Sequence, residues 1–320
     1  MGNDDRLRGR VALVTGALGC LGAWTAKAFL DEGASVVAYD LRVDDPHRLR
    51  LVLGEDAARV TLEQGDVTDV ERLGAVMDRH GVTRVVHLAG LQVPFCRANP
   101  PLGARVNVEG TVAVFEAVKQ RRDRIPGVAL ASSAAVYGPD DPSPAPEVGP
   151  FSPRTHYGVF KLANEGTARV YWADDGIPSI AIRPYVVYGP ARDQGLTSTP
   201  TLAMQAAARG DPFTISYGGA AQYDYAPDVG LAFARASAAV STGAIAANYP
   251  GVPAHMAEVI AAIEAAAPDA AGMIRFEETG LPFPAQLEAT ALERAIGPLP
   301  RTPLADGVRQ AVEHFRRIAS

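Results

Sequence analysis

The sequence predicts an α/β fold organised around a doubly wound parallel sheet. Short segments that are apolar throughout, such as residues 11–15 and 128–133, are typical of strands buried on both faces of a sheet. A glycine-rich turn at residues 16–22 separates the first of these strands from a helical pattern. Strand and helix patterns alternate along the first half of the chain, and this alternation predicts βαβ units that form a parallel sheet.

The composition is that of a globular enzyme and argues against several other classes of protein. Of the 320 residues, 48% are hydrophobic and 21% are charged, which allows a large core. The net charge is −6 and no long run of lysine or arginine is present, so we expect no nucleic-acid or membrane partner. Residues 1–10 are polar and lack the apolar region of a signal peptide, and no segment reaches the roughly 18 apolar residues of a membrane span. These features predict a cytoplasmic protein.

The cysteines and histidines do not suggest a metal site. Cys20 and Cys96 are the only cysteines, so no disulfide framework is expected. The six histidines form neither an HxH nor an HExxH pattern. We therefore predict that the protein uses no metal.

The first βαβ unit carries the features of a dinucleotide-binding site. The strand at residues 11–15 leads into the glycine turn, a helical pattern at residues 23–33, and a second strand at residues 35–39 that ends in Asp40. Glycines in such a turn permit the close approach of a pyrophosphate, whose charge is stabilised at the helix N-terminus. Asp40 can accept hydrogen bonds from both hydroxyls of the adenosine ribose, and its charge would repel a 2′-phosphate. NAD is therefore favoured over NADP, although Arg42 could soften this preference.

The strongest candidate for catalysis is a Ser/Tyr/Lys set. Tyr157 and Lys161 lie four residues apart and share one face of a predicted helix, while Ser133 ends a buried strand. Ligands of open parallel sheets bind at the carboxyl ends of the strands, where Ser133 is expected. The alternatives are a solvated helix face for the Tyr/Lys pair and a capping role for the serine. His87, at the end of another strand, is interpreted as a packed structural histidine.

Several ordered motifs resemble those of the extended short-chain dehydrogenase/reductase family, which includes NAD-dependent epimerases and dehydratases. The glycine turn follows Thr15 in a TGxxGxxG pattern rather than GxGxxG. Later segments match the family in order along nearly the whole chain: GDVTD at 65–69, VVHLAG at 85–90, NVEGT at 107–111, the Ser/Tyr/Lys set, RPYVVYGP at 183–190, and a final helix after Gly307.

The resemblance implies a Rossmann fold with a smaller C-terminal substrate-binding lobe. It assigns residues 1–185 and 222–250 to the Rossmann domain, and residues 186–221 and 251–320 to the lobe. It also implies a homodimer formed by the helices near residues 104–120 and 157–173. Besides Tyr157 and Lys161, the residues expected to bind NAD are Gly16, Gly19, Cys20, Leu21, Gly22, Asp40, Asp66, Val67, Leu88, Ala89, Gly90, Asn107 and Pro184.

The resemblance also implies a mechanism. Tyr157 acts as general acid/base, Lys161 lowers the pKa of Tyr157 and holds the nicotinamide ribose, and Ser133 binds the substrate oxygen. An unperturbed tyrosine, with a pKa of about 10, is a poor base at neutral pH, so a nearby cation is needed. Dehydratases of the family carry an Asp-Glu pair where this chain has Ala134 and Ala135, so no elimination chemistry is expected.

Members of the family that bind nucleotide sugars usually hold the UDP diphosphate with two arginines. The first position corresponds here to Ala221, beside Gln222, and residues 276–288 contain no motif for the second. A diphosphate desolvated without cations would bind poorly, which favours a smaller polyol, sugar, aldonate or hydroxy acid. The candidate substrate-binding residues are Gln92, Ser133, Tyr185, Arg192, Thr197 and Ser198.

The leading hypothesis is an NAD-dependent dehydrogenase that interconverts a secondary alcohol and a ketone, or a lactol and a lactone, on such a small substrate. One alternative keeps the same fold and makes the protein an NAD-retaining sugar or nucleotide-sugar 4-epimerase, from which no net NADH accumulates. A second alternative is a non-catalytic NAD-binding regulatory protein, although such proteins usually lose the tyrosine or the lysine.

Overall fold

The structure, a computed structural model, describes residues 6–319. The strands are β1 (Val11–Thr15), β2 (Ser35–Asp40), β3 (Thr61–Gln64), β4 (Arg84–His87), β5 (Val128–Ala131), β6 (Ser179–Arg183), β7 (Val186–Tyr188), β8 (Phe213–Ile215), β9 (Ala220–Tyr225), β10 (Ala244–Asn248), β11 (Val252–His255) and β12 (Ile274–Phe276). The α-helices are α1 (Cys20–Asp31), α2 (His47–Leu53), α3 (Val70–Arg79), α4 (Val93–Ala98), α5 (Pro100–Ala104), α6 (Gly110–Lys119), α7 (His156–Asp175), α8 (Thr199–Arg209), α9 (Ala226–Ala239), α10 (Met256–Ala266), α11 (Ala291–Ile296) and α12 (Leu304–Ala319).

Seven strands form one parallel sheet in the order β10-β6-β5-β4-β1-β2-β3. From β1 the chain winds outward to β3, and from β4 it winds outward in the opposite direction to β10. The strand order therefore reverses between β1 and β4, where Thr15 lies beside His87. Open sheets of this kind bind ligands outside the carboxyl ends of the strands at the reversal. The predicted doubly wound α/β fold is confirmed.

Helices cover both faces of this sheet. Ala12 and Val14 belong to the core that contains Phe29 of α1 and Phe233 of α9. Leu13, which points to the opposite face, belongs to the core that contains Phe115 of α6. Because both faces are buried, the strands are apolar throughout, as in other parallel sheets. None of the helices within residues 6–319 is long and apolar enough to cross a membrane.

A second, smaller core lies beyond the large sheet. Strands β7, β9 and β11 form a three-stranded sheet, and β8 pairs with β12. Helices α8, α10 and α12 pack with these strands around buried side chains that include Met204, Met256 and Val312. The rings of Tyr188 and Tyr223 meet edge-on within this core, with centroids 6.4 Å apart. This lobe thus joins the segment after β6 to the C-terminal helices.

Two predicted domain boundaries differ from the structure. Tyr223 and Tyr225 belong to β9 in the three-stranded sheet, so the chain returns to the large sheet at α9 rather than at residue 222. Helix α11 lies within the range predicted for the lobe, yet its residues Leu292 and Ile296 pack in the same core as Phe233. Both segments contribute buried apolar side chains, and an apolar pattern alone does not tell which core receives a segment.

Candidate active site

A cleft of about 880 Å³ opens at the carboxyl ends of the large sheet's strands. It is bounded by the turns that follow β1, β2, β4, β5 and β6, by the first turns of α7, and by the loop after β7. Most of the predicted site residues line it, namely Gly16, Gly19, Cys20, Leu21, Gly22, Asp40, Asp66, Val67, Leu88, Ala89, Gly90, Gln92, Ser133, Tyr157, Lys161, Pro184, Tyr185, Arg192 and Thr197.

Two glycines let the turn after β1 lie against its neighbours. Gly16 has a φ angle of +68°, and a Cβ atom there would lie 2.6 Å from the Ala89 nitrogen. A Cβ atom at Gly22 would lie 2.3 Å from the Gly16 carbonyl oxygen. Helix α1 begins at Cys20 rather than at residue 23, so Gly22 lies in its first turn. The helix N-terminus is at the cleft, which fits the pyrophosphate of a dinucleotide.

Asp40 and Asp66 define one end of the cleft, which we call the Asp40 end. Asp40 Oδ2 accepts a hydrogen bond from the Leu18 nitrogen at 3.0 Å, and Oδ1 accepts one from the Leu41 nitrogen at 2.8 Å. Burial raises the pKa of Asp40, against these two hydrogen bonds and the charges of nearby arginines. The Asp66 carboxylate accepts from the Thr68 nitrogen at 3.0 Å. The remaining lone pairs of Asp40 can accept from ribose hydroxyls, so this end fits the adenosine of NAD.

The Ser/Tyr/Lys set comes together where β5 meets α7. The Ser133 hydroxyl accepts from the Ala135 nitrogen at 3.1 Å, which starts a short 3₁₀ turn. Tyr157 lies in the first turn of α7. Lys161 Nζ donates to the Ala131 carbonyl oxygen at 2.8 Å and lies 5.6 Å from the centre of the Tyr157 ring. The three side chains therefore share one wall of the cleft.

Burial governs the ionisation of the two groups on α7. It raises the pKa of Tyr157, while a hydrogen bond with Ser133 and the charge of Arg192 act in the opposite direction. Burial lowers the pKa of Lys161 to about 8. In the protein chain alone, desolvation of the Tyr157 phenolate outweighs the Ser133 hydrogen bond and the charge of Arg192. The predicted lowering of this pKa by Lys161 stays a prediction.

A buried ion pair fixes α7 against the sheet. Arg183 on β6 donates to both oxygens of Glu165 on α7, at 2.7 Å each. Ser132 donates to the same carboxylate, and Arg183 also donates to the Tyr137 hydroxyl at 3.1 Å. Loss of either charged partner would leave the other buried and unpaired, so the pair holds α7 in one position. Lys161 lies one turn before Glu165 and is held in place with it.

Asn107 and Ser198 lie behind the residues that line the cleft, and their predicted binding roles stay predictions. Asn107 Nδ2 donates to the Leu91 carbonyl oxygen at 3.1 Å, and its Oδ1 lies behind Gly90, where a Cβ atom would be 2.6 Å away. The Ser198 hydroxyl donates to the Gly195 carbonyl oxygen at 2.9 Å. Both side chains hold loop backbone beside the cleft, and Asn107 Oδ1 is buried without a hydrogen-bond donor among the described residues.

His87 is hydrogen-bonded through both ring nitrogens. Nδ1 lies 2.8 Å from the Thr15 hydroxyl, and Nε2 lies 3.0 Å from the Thr111 hydroxyl. Burial lowers the pKa of His87 to about 3, and the charge of Lys161 acts in the same direction. A neutral imidazole that links β4 to β1 and α6 agrees with the predicted structural role.

The opposite end of the cleft, which we call the Arg192 end, is formed by distant segments. Gln92 follows β4, Tyr185 follows β6, and Arg192 and Thr197 lie on the loop after β7. Arg192 Nη2 donates to the Thr197 hydroxyl at 3.2 Å. The side-chain oxygens of Gln92 and Tyr185 are buried and have no hydrogen-bond partner within the described residues. These groups are available to a polar ligand.

Phe283 is a cleft residue that the sequence did not indicate. Its ring meets the Tyr185 ring edge-on, with centroids 5.9 Å apart, and gives the Arg192 end an apolar wall. It belongs to an irregular segment between β12 and α11, so no helix or strand periodicity marks it. The two prolines beside it, Pro282 and Pro284, are the only local signal of a constrained loop.

An ion pair connects the two ends of the cleft. Arg48 Nε on α2 donates to both carboxylate oxygens of Asp193 at 2.9 Å, and both residues lie close to the cleft. The pair joins α2, beside the Asp40 end, to the loop that carries Arg192. These residues are 145 positions apart, and no local sequence pattern indicates their contact.

Neither a metal-ligand cluster nor the first diphosphate-binding arginine of nucleotide-sugar enzymes is present among the described residues. Within residues 6–319, no three His, Cys, Asp or Glu side chains are placed to hold a metal ion. Ala221 is buried in β9. The Gln222 side chain accepts from the Leu287 nitrogen and donates to the Gly251 carbonyl oxygen. Both hydrogen-bonding groups of the Gln222 amide therefore have backbone partners.

The fold resembles solved structures along almost its whole length. A UDP-glucose 4-epimerase of Thermus thermophilus, solved in complex with NAD, has a TM-score of 0.80 and 25% identity, with 96% of this chain and 99% of that chain covered. A partial-consensus L-threonine 3-dehydrogenase has a TM-score of 0.83 and 24% identity, with 96% and 99% covered, which is a likeness of fold.

Sequence comparison identifies the family. A UDP-glucose 4-epimerase of Mycolicibacterium smegmatis is 29% identical over 311 residues, which are 95% of this chain and 98% of the relative. Several other curated relatives match over about half of their own length. The profile of the NAD dependent epimerase/dehydratase family matches residues 12–249, which confirms the predicted resemblance and the predicted cofactor, NAD. The chain belongs to the NAD dependent epimerase/dehydratase family.

Proposed function

We propose that the protein is an NAD-dependent dehydrogenase that interconverts a secondary alcohol and a ketone, or a lactol and a lactone, on a small sugar, polyol, aldonate or hydroxy acid. The observation that carries the proposal is the position of Ser133, Tyr157 and Lys161 in a cleft whose Asp40 end fits a dinucleotide. In this proposal the lobe formed by β7–β9, β11, β12, α8, α10 and α12 encloses the substrate.

The roles proposed for the three side chains follow from their contacts. When bound, NAD supplies the acceptor for the hydride that the substrate carbon gives up. Tyr157 takes the proton of the substrate hydroxyl as general base, so that the carbon–oxygen single bond becomes a carbonyl. This role requires that the hydrogen bond from Ser133 and nearby positive charge offset the burial that raises the pKa of Tyr157. Ser133 donates a hydrogen bond to the substrate oxygen. Lys161 holds the nicotinamide ribose, and it is mostly protonated at neutral pH because its pKa is about 8.

The Arg192 end favours a dehydrogenase of small substrates over a nucleotide-sugar epimerase. A desolvated diphosphate needs cations, and arginines that bind it are frequently bidentate. Two arginines lie at this end, and one of them, Arg48, is already bound to the Asp193 carboxylate. Ala221 stands at one of the two positions where nucleotide-sugar enzymes carry a diphosphate-binding arginine. An NAD-retaining epimerase remains the second candidate, because a UDP-glucose 4-epimerase matches nearly the whole chain.

Two measurements on the purified protein separate these candidates. The first is the nucleotide content of freshly purified protein, and the second is NADH absorbance with added NAD and a panel of polyols, uronates, aldonates and hydroxy acids. A dehydrogenase takes up NAD reversibly and accumulates NADH with at least one member of the panel. Tightly bound NAD that co-purifies, together with no net NADH, would overturn the proposal in favour of the epimerase.

A homodimer is the proposed assembly. Helices α6 and α7 expose apolar side chains that a second copy would cover, among them Val112, Val159, Val170 and Trp172. Helix α7 also carries Tyr157 and Lys161, so association through it would stiffen the catalytic wall. Light scattering that gives the mass of a single chain would contradict this assembly.

A further inference from the structure

Arg192 has no anionic partner at its end of the cleft. Within residues 6–319, no carboxylate lies within ion-pair distance of its guanidinium. The neighbouring carboxylate, Asp193, is bound by Arg48 instead. Arg192 Nη2 donates to the neutral Thr197 hydroxyl, and Nε is buried without a hydrogen-bond partner. A guanidinium in this state is stabilised by an anion that enters the cleft.

Gln92 presents a second unsatisfied group at the same place. A Cβ atom at Gly195 would lie 2.2 Å from Gln92 Oε1 and 3.2 Å from Arg192 Nη2, so both side chains meet over this glycine. Gln92 Oε1 is buried and has no donor within the described residues. An amide oxygen requires a hydrogen-bond donor, such as a hydroxyl. The pair therefore presents a cation and an acceptor side by side.

We infer that Arg192 binds the carboxylate of a polyhydroxy acid and that Gln92 Oε1 accepts a hydrogen bond from a hydroxyl of the same molecule. This inference rests on the proposed dehydrogenase function and selects one substrate class for it. The acid loses a hydride to NAD and the hydroxyl proton to Tyr157, so a hydroxy acid becomes a keto acid and NAD becomes NADH. Recognition of both groups would select polyhydroxy acids over uncharged polyols.

The pyrophosphate of the cofactor is the other anion that Arg192 could meet. Arg192 lies near the N-terminus of α1, since its charge acts on the buried thiol of Cys20. However, the backbone N–H groups at the N-terminus of α1 are placed to bind the pyrophosphate. Arg192 lines a small recess that also includes Gly19, Cys20 and Gln92, and its Nη2 donates to the Thr197 hydroxyl. Its charge also acts on the reacting phenol of Tyr157. The nearby phenol and the unpaired Gln92 oxygen favour a substrate carboxylate, and the Kd for NAD in an Arg192 variant distinguishes it from the pyrophosphate.

The test compares substrates and variants on the intact protein. Wild-type protein with NAD is given matched aldonates and polyols of the same chain length, and NADH is followed. We expect NADH with an aldonate and none with its polyol. In Arg192→Gln, the KM for that aldonate should rise about 100-fold while the Kd for NAD changes by less than about twofold. For Arg192→Lys, the KM for the aldonate should lie between those of wild type and Arg192→Gln, because lysine keeps the charge and loses the bidentate geometry.

Arg209→Gln, which removes an exposed arginine at the end of α8, is the matched control and should change neither constant. Gln92→Leu should raise the KM about tenfold without changing the Kd for NAD.

Equal KM values for the aldonate in wild type and Arg192→Gln would overturn the inference, as would weaker NAD binding in Arg192→Gln with an unchanged KM. NADH formed from polyols but not from acids would overturn the inference and leave the dehydrogenase standing. No NADH from any compound would count against the dehydrogenase itself.

Discussion

The Asp40 end and the Arg192 end of the cleft are built from different kinds of segment. The Asp40 end is built mainly from the first βαβ unit, with Asp66 after β3 beside it. Within this unit, Gly22 packs against the Gly16 carbonyl oxygen and Asp40 accepts from the Leu18 nitrogen. The Arg192 end brings together loops that follow β4, β6 and β7 with Phe283 from the C-terminal region. Local motifs therefore form the cofactor site, whereas contacts between distant segments form the Arg192 end beside it.

The two ends also differ in how well their polar groups are satisfied. Asp40 accepts two backbone hydrogen bonds, so this end is already arranged for its ligand. At the other end, the Gln92 oxygen, the Tyr185 hydroxyl and Arg192 Nε are buried without partners in the described part of the chain. Ligand binding should therefore order the Arg192 end more than the Asp40 end, because buried polar groups left unpaired are costly.

Tyr157→Phe should give the largest effect and should separate chemistry from cofactor binding. Loss of the general acid/base is expected to lower kcat by about 10²- to 10⁴-fold. The Kd for NAD should stay close to the wild-type value, because the Asp40 end is untouched. Isothermal titration with NAD and an NADH assay measure the two quantities. Unchanged turnover would remove Tyr157 from the mechanism and favour a non-catalytic NAD-binding protein.

Lys161→Met should change how stability depends on pH. Burial lowers the pKa of Lys161 from 10.5 to about 8, so between these pH values the unfolded chain binds more protons than the folded one. The charged Lys161 therefore destabilises the folded protein by about 3 kcal/mol at pH 7. The free energy of unfolding rises by this amount as the pH increases from 8 to 10.5.

The methionine variant lacks this titration, so the stability of wild type relative to the variant should rise as the pH increases from 7 to 10. Urea denaturation of both proteins at the two pH values measures the difference. A difference that is the same at both pH values would mean that Lys161 is not desolvated in the folded protein.

Gly22→Ala tests the close approach at the Asp40 end. The new Cβ atom would lie 2.3 Å from the Gly16 carbonyl oxygen, so the turn must shift, and we expect a loss of about 1–3 kcal/mol in stability and weaker NAD binding. Gly166→Ala in α7 is the control, since its Cβ atom meets nothing closer than Arg169 Nη2 at 3.7 Å. This control should gain up to about 1 kcal/mol. If both variants bind NAD like wild type, the turn is looser than its geometry implies.

The sequence was sufficient to predict the fold and most of the cleft wall because these depend on short-range patterns. The strand at residues 11–15 agrees with β1, and Ser133, Tyr157 and Lys161 line one cleft. The start of α1 differs, because a glycine inside the first turn of a helix resembles a glycine before it. The binding roles assigned to individual residues stay predictions.

Other features depend on contacts between distant segments. The Arg48–Asp193 pair, the position of Phe283, and the packing of α11 on the large domain have no local signature. The raised pKa of Tyr157 likewise depends on burial by surrounding segments, which the sequence alone does not give. Asn107 and Ser198 also hydrogen-bond to loop backbone, a role that their sequence positions did not indicate.

The number of NADH molecules formed per protein chain tests the central claim most directly. The protein is mixed with excess NAD and the most active polyhydroxy acid of the panel, and NADH is counted until the reaction stops. A dehydrogenase with an exchangeable cofactor forms many NADH molecules per chain, limited by substrate and equilibrium. A yield of one NADH per chain or less, with the nucleotide still bound to the protein, would contradict the account and identify a cofactor-retaining enzyme.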